Sequence, residues 1–357
     1  MKGLDYLIVG QGLAGTLLSY HLLKRGKKIR VLDAAYQQTA SRAAAGIFNP
    51  VTGRSMVKTW KADALFPYLL NCYEELEQVT GAHFLHRMNI YRPFSSTREQ
   101  NEWIPKCDNK EFAPYVEYVS DQSVFGQYAQ DRQGGIVLKR SGYVDLPLLI
   151  ETYRAYLVQL DIFEKHSFSE NLLSIHENHI QYNGYAARKI IFCDGSEGRK
   201  NVYFRWLPFR PVKGEILYIK LKEQLPMIFN RGVFVLPLKE DLYKVGATYE
   251  HKDLSYTTTL KARNYLCEKL ETLLTINYEV VGQEAGVRPA TKDRRPMVGL
   301  HPEYKPLGVF NGFGSKGVSL VPYFAHQFTA FLEEEAALDE AIDIHRFIED
   351  YCSATVQ

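Results

Sequence analysis

The chain has 357 residues, 46% of them hydrophobic and 24% charged, with a net charge of +2. A chain of this length is long for one core, so two domains or one interrupted domain are expected, with the composition of a soluble globular protein. The small net charge gives no electrostatic case for a nucleic-acid or membrane partner. No apolar run reaches the ~20 residues of a membrane span, and no signal peptide precedes the first apolar run.

Tyr6 to Val9 is a short apolar run with the character of a buried strand. Gly10, Gly12 and Gly15 follow at G-x-G-x-x-G spacing. Ala14, Leu17, Leu18, His21 and Leu22 then recur at helical spacing until Gly26. A second strand, Ile29 to Leu32, finishes in Asp33. Such glycines permit a tight turn and close backbone approach to a pyrophosphate seated on a helix N-terminus. Asp33, eighteen residues beyond Gly15, is placed to accept hydrogen bonds from ribose hydroxyls and to repel a 2′-phosphate. Strand, glycines, helix, strand and acid in this order make a dinucleotide cradle.

Next comes a small-residue loop, "SRAAAGIFNPVTGR" (41–54), and a helix expected from Asp63 to Val79. "HFLHRMNIYRPF" has the pattern of a strand, and the polar sequence after it, through residue 135, is expected to be irregular. "GYVDLPLLIETYRAYLVQL" is a helix entered through Asp145 and Pro147. "HIQYNGYAARKIIFCDG" alternates into a hairpin and a buried strand ending at Gly195. Residues 211–250 are strand-rich, and Tyr256 to Leu274 is expected to be helical. The chain then returns to a strand, a second glycine-rich turn and a helix in "PLGVFNGFGSKGVSLVPYFAHQFTAFLEEE". Leu320, Phe324, Phe328 and Phe331 mark that helix's buried face. Pro322 is tolerable there if the helix starts near Ser319, which puts proline inside the first turn.

The five cysteines, Cys72, Cys107, Cys193, Cys267 and Cys352, are scattered, odd in number and free of C-x-x-C spacing. They point to reduced thiols in a cytoplasm rather than to a disulfide frame or zinc site. The pairs His83/His86 and His176/His179 have no third or fourth ligand close in sequence, so no metal is expected.

The second glycine turn bears on which dinucleotide is bound. A flavin ring becomes negative at its N1–C2=O edge on reduction, and a helix N-terminus or a cation such as Lys316 stabilises that charge. Taken in order, "GQGLAG", "SRAAAG", "GYVD", "IIFCDG", "RPVKGEIL", "VLPL" with "KVGATYE", "AGVRPATKDRRPMVG" and "NGFGSKGVSLVP" resemble the FAD-dependent D-amino-acid-oxidase superfamily. That group includes glycine oxidase and the sarcosine oxidases, and the similarity covers nearly the whole chain. It implies an α/β fold, with an FAD-binding Rossmann-like domain interrupted by a substrate domain whose sheet is mostly antiparallel. Residues 1–85, 142–205 and 283–357 would form the first, and residues 86–141 and 206–282 the second.

The resemblance implies non-covalent FAD, since no cysteine lies near the C-terminal flavin motifs, where some sarcosine oxidases attach the cofactor. FAD contacts are expected first at Gly10, Gly12, Leu13, Ala14, Gly15 and Asp33. A second group is Ser41, Arg42, Ala45 and Gly46. The remainder lie at Gly195, Gly312, Gly314, Ser315, Lys316, Gly317 and Val318. Cys193 and Asp194 depart from the small residues that relatives carry there, and Asp194 would repel a pyrophosphate unless its side chain turns away. The implied activity is oxidation of a C–N bond in a small amine or amino acid (glycine, a D-amino acid or an N-alkyl glycine) to an imine. Arg288 aligns with the arginine that binds substrate carboxylate in glycine oxidase, whereas Arg294 and Arg295 sit in a polar turn. Lys244 stands where sarcosine oxidases carry a lysine that activates oxygen; the bland alternative is a solvated strand lysine. Tyr249 and Phe234 are expected to point from neighbouring strands and wall the pocket, Phe234 replacing a tyrosine of some relatives.

Two other functions fit the same family. One is oxidation of a carboxymethylamino group on a tRNA base, for which the basic, aromatic stretch "RKNVYFRWLPFRPVK" (199–213) is suggestive, although a crossover between domains explains it equally. The other is a flavin-binding subunit without catalysis of its own.

Overall fold

A computed structural model describes residues 2–52 and 57–355; Gly53 and Arg54, at the end of the small-residue loop, lie outside the described residues. The first layer is an eight-stranded sheet. Its parallel centre runs Phe163–Lys165, Ile29–Asp33, Lys2–Val9 and Tyr185–Phe192, with Leu307–Asn311 parallel to the last of these. The two middle strands end in apolar runs, Tyr6–Val9 and Ile190–Phe192, as strands covered on both faces do: Leu7, Ile8, Ile190 and Ile191 are fully buried. Helix Leu13–Lys24 packs on helix Gly317–Leu332, which in turn packs on helix Ala62–Thr80.

The second layer is an eight-stranded sheet in the order Tyr278–Arg288, Val212–Leu221, Leu242–Gly246, Val233–Pro237, Ile228–Arg231, Ile90–Pro93, Gly135–Leu138 and Val116–Ser120. All its pairings are antiparallel except that between Ile228–Arg231 and Ile90–Pro93. Alternation gives it two faces. Leu217, Ile219, Val235, Tyr243 and Val245 pack with Leu266 and Leu270 of helix Leu260–Leu273. On the opposite face the cross-strand partners are Val212 with Arg288, Gly214 with Gly286, Tyr218 with Lys244 and Phe234 with Gly246. This face meets the first layer directly, because a Cβ on Gly286 would lie 2.8 Å from the Cβ of Ala43 in the short helix Ala40–Ala43.

Several local expectations change. "HFLHRMNIYRPF" forms two strands in different sheets, Leu85–Arg87 and Ile90–Pro93, because the chain breaks at Met88, whose amide donates to the Ser141 carbonyl. The polar stretch beyond it contains helix Thr97–Cys107, capped by Ser96 accepting from the Glu99 amide, and strand Val116–Ser120. The helix expected from Tyr256 begins at Leu260, capped by Thr259, because residues 253–257 are drawn off to hold Lys213: Asp253, Ser255 and the Thr257 carbonyl all bond its ammonium. Strand Tyr278–Arg288 continues across residue 282, with a register shift against Tyr218 and Ile219, and carries the second sheet's edge to Arg288. No helix among the described residues is long and apolar enough to cross a membrane.

Pro322 is not in the first turn of its helix. The helix begins at Gly317, so Pro322 is its sixth residue, and the Val318 carbonyl four residues back has no amide to accept from. The hydroxyl of fully buried Tyr73, from the helix Ala62–Thr80, donates to that carbonyl at 2.9 Å. Tyr73→Phe is therefore expected to destabilise the fold by about 1–3 kcal/mol, the cost of an unpaired buried acceptor. In a Pro322→Ala background the loss should be much smaller, since residue 322 then donates to Val318; a denaturant double-mutant cycle measures the difference.

Candidate functional site

The first half of the site is the glycine turn. Gly10 has φ +97°, and a Cβ there would stand 2.6 Å from the Cys193 carbonyl oxygen; at Gly15 it would stand 1.8 Å from the Gly10 carbonyl oxygen. The turn is thus closed against strand Tyr185–Phe192 on backbone contacts that no side chain permits. The helix from Leu13 has Gly12 as its N-cap, with no side-chain cap and no acidic residue in its first turn. Ser41 Oγ accepts from the Leu13 amide at 3.1 Å, bringing Ser41 to the helix end. The first-turn amides and Ala14 form the positive end that a pyrophosphate needs.

Asp33 closes the cradle's other side. Its carboxylate accepts from the Gln11 amide at 2.6 Å and the Ala35 amide at 2.7 Å, and Arg154 approaches it at 3.3 Å. Arg154 also donates to Gln11 Oε1 at 2.7 Å. No sequence signal pointed to Arg154, which arrives from helix Leu146–Gln159. Arg42 is drawn into an ion pair with Glu151 at 2.8 Å. Gly46 has φ +71° and lies so close to Val144 that a Cβ would sit 1.9 Å from that carbonyl oxygen, fixing Ala45 beside it.

Asp194 is held by side-chain amides. Its enclosed carboxyl accepts from Asn311 Nδ2 at 2.9 Å and Asn201 Nδ2 at 3.3 Å, and burial pushes its pKa up to about 6. Gly195 beside it has φ +57°. In the second glycine turn, Gly312 (φ +79°) has Thr291 2.8 Å from where a Cβ would be, and the Gly314 amide donates to the Pro289 carbonyl at 3.1 Å. The turn is therefore joined to the end of the Arg288 strand. Ser315 is exposed, Gly317 and Val318 open the helix, and Lys316 donates to Thr52 Oγ1 at 3.2 Å. Partial desolvation of its ammonium, with Arg295 and Arg294 nearby, holds Lys316 below the usual lysine range.

The second half is the inner face of the antiparallel sheet. Lys244 is not solvated: it is 6% exposed, its Nζ donates to the Ala44 carbonyl at 3.2 Å and lies 5.4 Å from the centre of the Tyr218 ring. Burial lowers its pKa, opposed by the charges of Glu284 and Asp145. A cavity of about 150 Å³ beside it is lined by Ala44, Ala45, Tyr143, Asp145 and Tyr218, among others. Phe234 covers Gly246, its ring 3.0 Å from where a Cβ would be. Tyr249 departs from the expectation, because strand Leu242–Gly246 ends before it; it lies on the following loop, 69% exposed, and does not share a strand wall with Phe234.

Arg288 ends the edge strand. Its Nη1 donates to the Thr248 carbonyl at 3.2 Å, and its guanidinium lies 4.8 Å from the centre of the Tyr249 ring. Burial lowers its pKa, with Tyr249 the opposing influence. Among the described residues no carboxylate forms an ion pair with it. Arg288 and Lys244 share a face but not a contact, since their partners Val212 and Tyr218 are six positions apart, roughly 20 Å of strand.

A parallel sheet with a glycine cradle at one end and an antiparallel sheet laid over it define the scaffold of a two-layer flavoprotein. The chain belongs to the FAD dependent oxidoreductase (DAO) family, which it matches over residues 5–331. It is 23% identical over 352 residues to the glycine oxidase of Bacillus subtilis (strain 168), covering 89% of this chain and 90% of that protein. It is 22% identical over 308 residues to the tRNA 5-methylaminomethyl-2-thiouridine biosynthesis bifunctional protein MnmC of Campylobacter jejuni subsp. doylei, covering 84% of this chain but only 46% of that longer protein. Among solved structures, the iminodiacetate oxidase of Chelativorans sp. BNC1 superposes with a TM-score of 0.79 at 20% identity, covering 94% of this chain and 97% of that one.

The residues present fit FAD: the cradle admits backbone only at Gly10 and Gly15, and the adjacent helix end is free of acid. Gly15→Ala should purify without yellow colour, because its Cβ cannot coexist with the Gly10 carbonyl. Acid precipitation of the wild-type protein should release all colour to the supernatant; colour in the pellet would show a covalent link.

Proposed function

We propose that the protein oxidises the C–N bond of a small amine or amino acid (glycine, a D-amino acid or an N-alkyl glycine) to an imine, which water then hydrolyses. The observation that carries this is Arg288: a half-buried, desolvated guanidinium without a carboxylate partner among the described residues. Such a charge is costly to bury alone, and a substrate carboxylate supplies what is missing. When bound, FAD supplies the acceptor for the hydride equivalent leaving the carbon that bears the neutral amine. The protein's part is to hold the carboxylate on Arg288, orient that carbon, and keep water out with the packed sheet face. Lys316 and the amides opening helix Gly317–Leu332 would hold the flavin's negative edge. Free cysteines throughout the described residues suit a reducing cytoplasm.

The similarity to MnmC supports a second reading, a carboxymethylamino group on a tRNA base, in which Arg288 would bind the same carboxylate. Against it, the aromatics of the basic 199–213 stretch are occupied: Phe204 is a core residue, Tyr203 and Phe209 pack against the same cluster, and Trp206 packs on Tyr351 and His301. A flavin-binding subunit without catalysis is opposed by the unpaired Arg288. Anaerobic addition of glycine, D-amino acids and N-alkyl glycines separates these readings, since bleaching of the flavin by any of them marks an amine oxidase.

Arg288→Leu should weaken apparent affinity for the amino-acid substrate at least about a hundredfold, ~2.8 kcal/mol at 1.4 kcal/mol per decade. Arg288→Lys should restore only part, because a point charge lacks the fork. FAD content should stay normal in both. Unchanged affinity in Arg288→Leu would exclude the carboxylate anchor.

Lys244 is proposed to assist reoxidation by oxygen, its cation stabilising developing superoxide. Lys244→Met should slow stopped-flow reoxidation by orders of magnitude while sparing reduction by substrate. An unaltered rate would leave Lys244 a packing residue.

A further inference from the structure

We infer that Gly214 and Tyr249 are positioning residues that clamp the Arg288 guanidinium in one plane and so select a single planar carboxylate. This rests on Arg288 as the substrate anchor. Arg288 lies opposite Val212 in the ladder, but its side chain runs back across the sheet to the diagonal neighbour, Gly214. There a Cβ would stand 2.1 Å from Nη2, 2.4 Å from Cζ and 2.5 Å from Nη1. The guanidinium therefore lies flat on the strand where only a hydrogen leaves room. A glycine inside a central strand costs stability, and close approach by another group is the usual reason for one.

The opposite face carries the Tyr249 ring, 4.8 Å from Cζ. The clamp's third member is the Thr248 carbonyl, which takes one Nη1 hydrogen. Thr248 is itself fixed: its amide donates to the Glu215 carbonyl at 3.1 Å, and its Oγ1 accepts from the Glu215 amide at 2.9 Å. The dipeptide Gly214–Glu215 thus sets both the floor under the guanidinium and the carbonyl that fixes its rotation. With both faces covered and one N–H engaged, only an edge remains open. A carboxylate fits that edge in the guanidinium's own plane through two parallel hydrogen bonds. A tetrahedral anion of like charge must send an oxygen out of that plane, toward Gly214 or Tyr249.

The test uses the FAD-loaded protein and non-reactive analogues lacking the amine, methoxyacetate against methanesulfonate, with binding followed by calorimetry and by flavin absorbance. Methoxyacetate should bind at least about tenfold more tightly than methanesulfonate in the wild type. Gly214→Ala should lose at least about tenfold in methoxyacetate affinity with normal FAD content. Because the clash is with the movable end of a side chain, backbone disruption is not expected, and the melting temperature checks this. Tyr249→Ala, on an exposed loop, should lose about two- to fivefold, the worth of an exposed cation–π contact, and Tyr249→Phe should restore it. With an oxidisable substrate, Gly214→Ala should raise the half-saturating concentration more than it lowers the limiting rate of flavin reduction. If Arg288→Leu weakens methoxyacetate but neither Gly214→Ala nor Tyr249→Ala does, the clamp is wrong and the anchor stands. Equal binding of the two anions by the wild type overturns the planar selection, and an unaffected Arg288→Leu removes the anchor itself.

Discussion

Everything at the candidate site depends on how closely the two layers approach at Gly286. The antiparallel sheet lands on helix Ala40–Ala43 with only a methyl group between the backbones. From that contact the Ala44 carbonyl comes within reach of Lys244, and the end of the edge strand is carried to the second glycine turn, where Pro289 receives the Gly314 amide. A side chain at Gly286 would have to displace Ala43, whose helix contains Ser41, the residue bonded to the Leu13 amide at the mouth of the cradle. One short contact therefore relates the nucleotide end of the molecule to the cations of the sheet face.

Three cations on or beside this sheet, Lys213 and Lys244 buried and Arg288 half-buried, illustrate how charge is tolerated. Lys213 is surrounded: Asp253, Ser255 and the Thr257 carbonyl bond it, and Glu215 lies at 3.7 Å. Lys244 has one carbonyl and an aromatic ring, with its acids at a distance. Arg288 has a carbonyl, a ring and no acid. The first is satisfied by the protein and holds a loop in place. The last has the pairing that the proposed substrate carboxylate would complete, and that difference in pairing is what distinguishes it from a cation with a structural part.

The cradle was legible because its signals are local: glycine spacing, the apolar run before it and the acid after it all act within thirty residues. The second glycine turn and most strands were legible for the same reason. Helix Thr97–Cys107 was missed because it is polar and buries few side chains, although Ser96 and Glu99 stand at capping-box spacing. The burial of Lys244 could not be read from alternation, since alternation assigns a residue to a face but does not say what covers that face. Arg154 meets Asp33 across 121 residues, and Tyr249 meets Arg288 from the far side of helix Leu260–Leu273 in the chain. Such pairings are set by topology and leave no local trace.

The Tyr73–Val318 hydrogen bond joins segments 245 residues apart, and it bears on the order in which the chain can fold. Helix Gly317–Leu332 packs against both Leu13–Lys24 and Ala62–Thr80, so the apolar surfaces of those early helices stay uncovered while most of the chain is being synthesised. At ~5–20 residues per second that interval is roughly 12–50 seconds. The nucleotide cradle is made well before the helix that backs it, so a ribosome-bound chain carries the fingerprint long before it carries a pocket. Helix Gly317–Leu332 thus sets when the early helices can be covered, and chaperone demand should concentrate in the interval before it emerges.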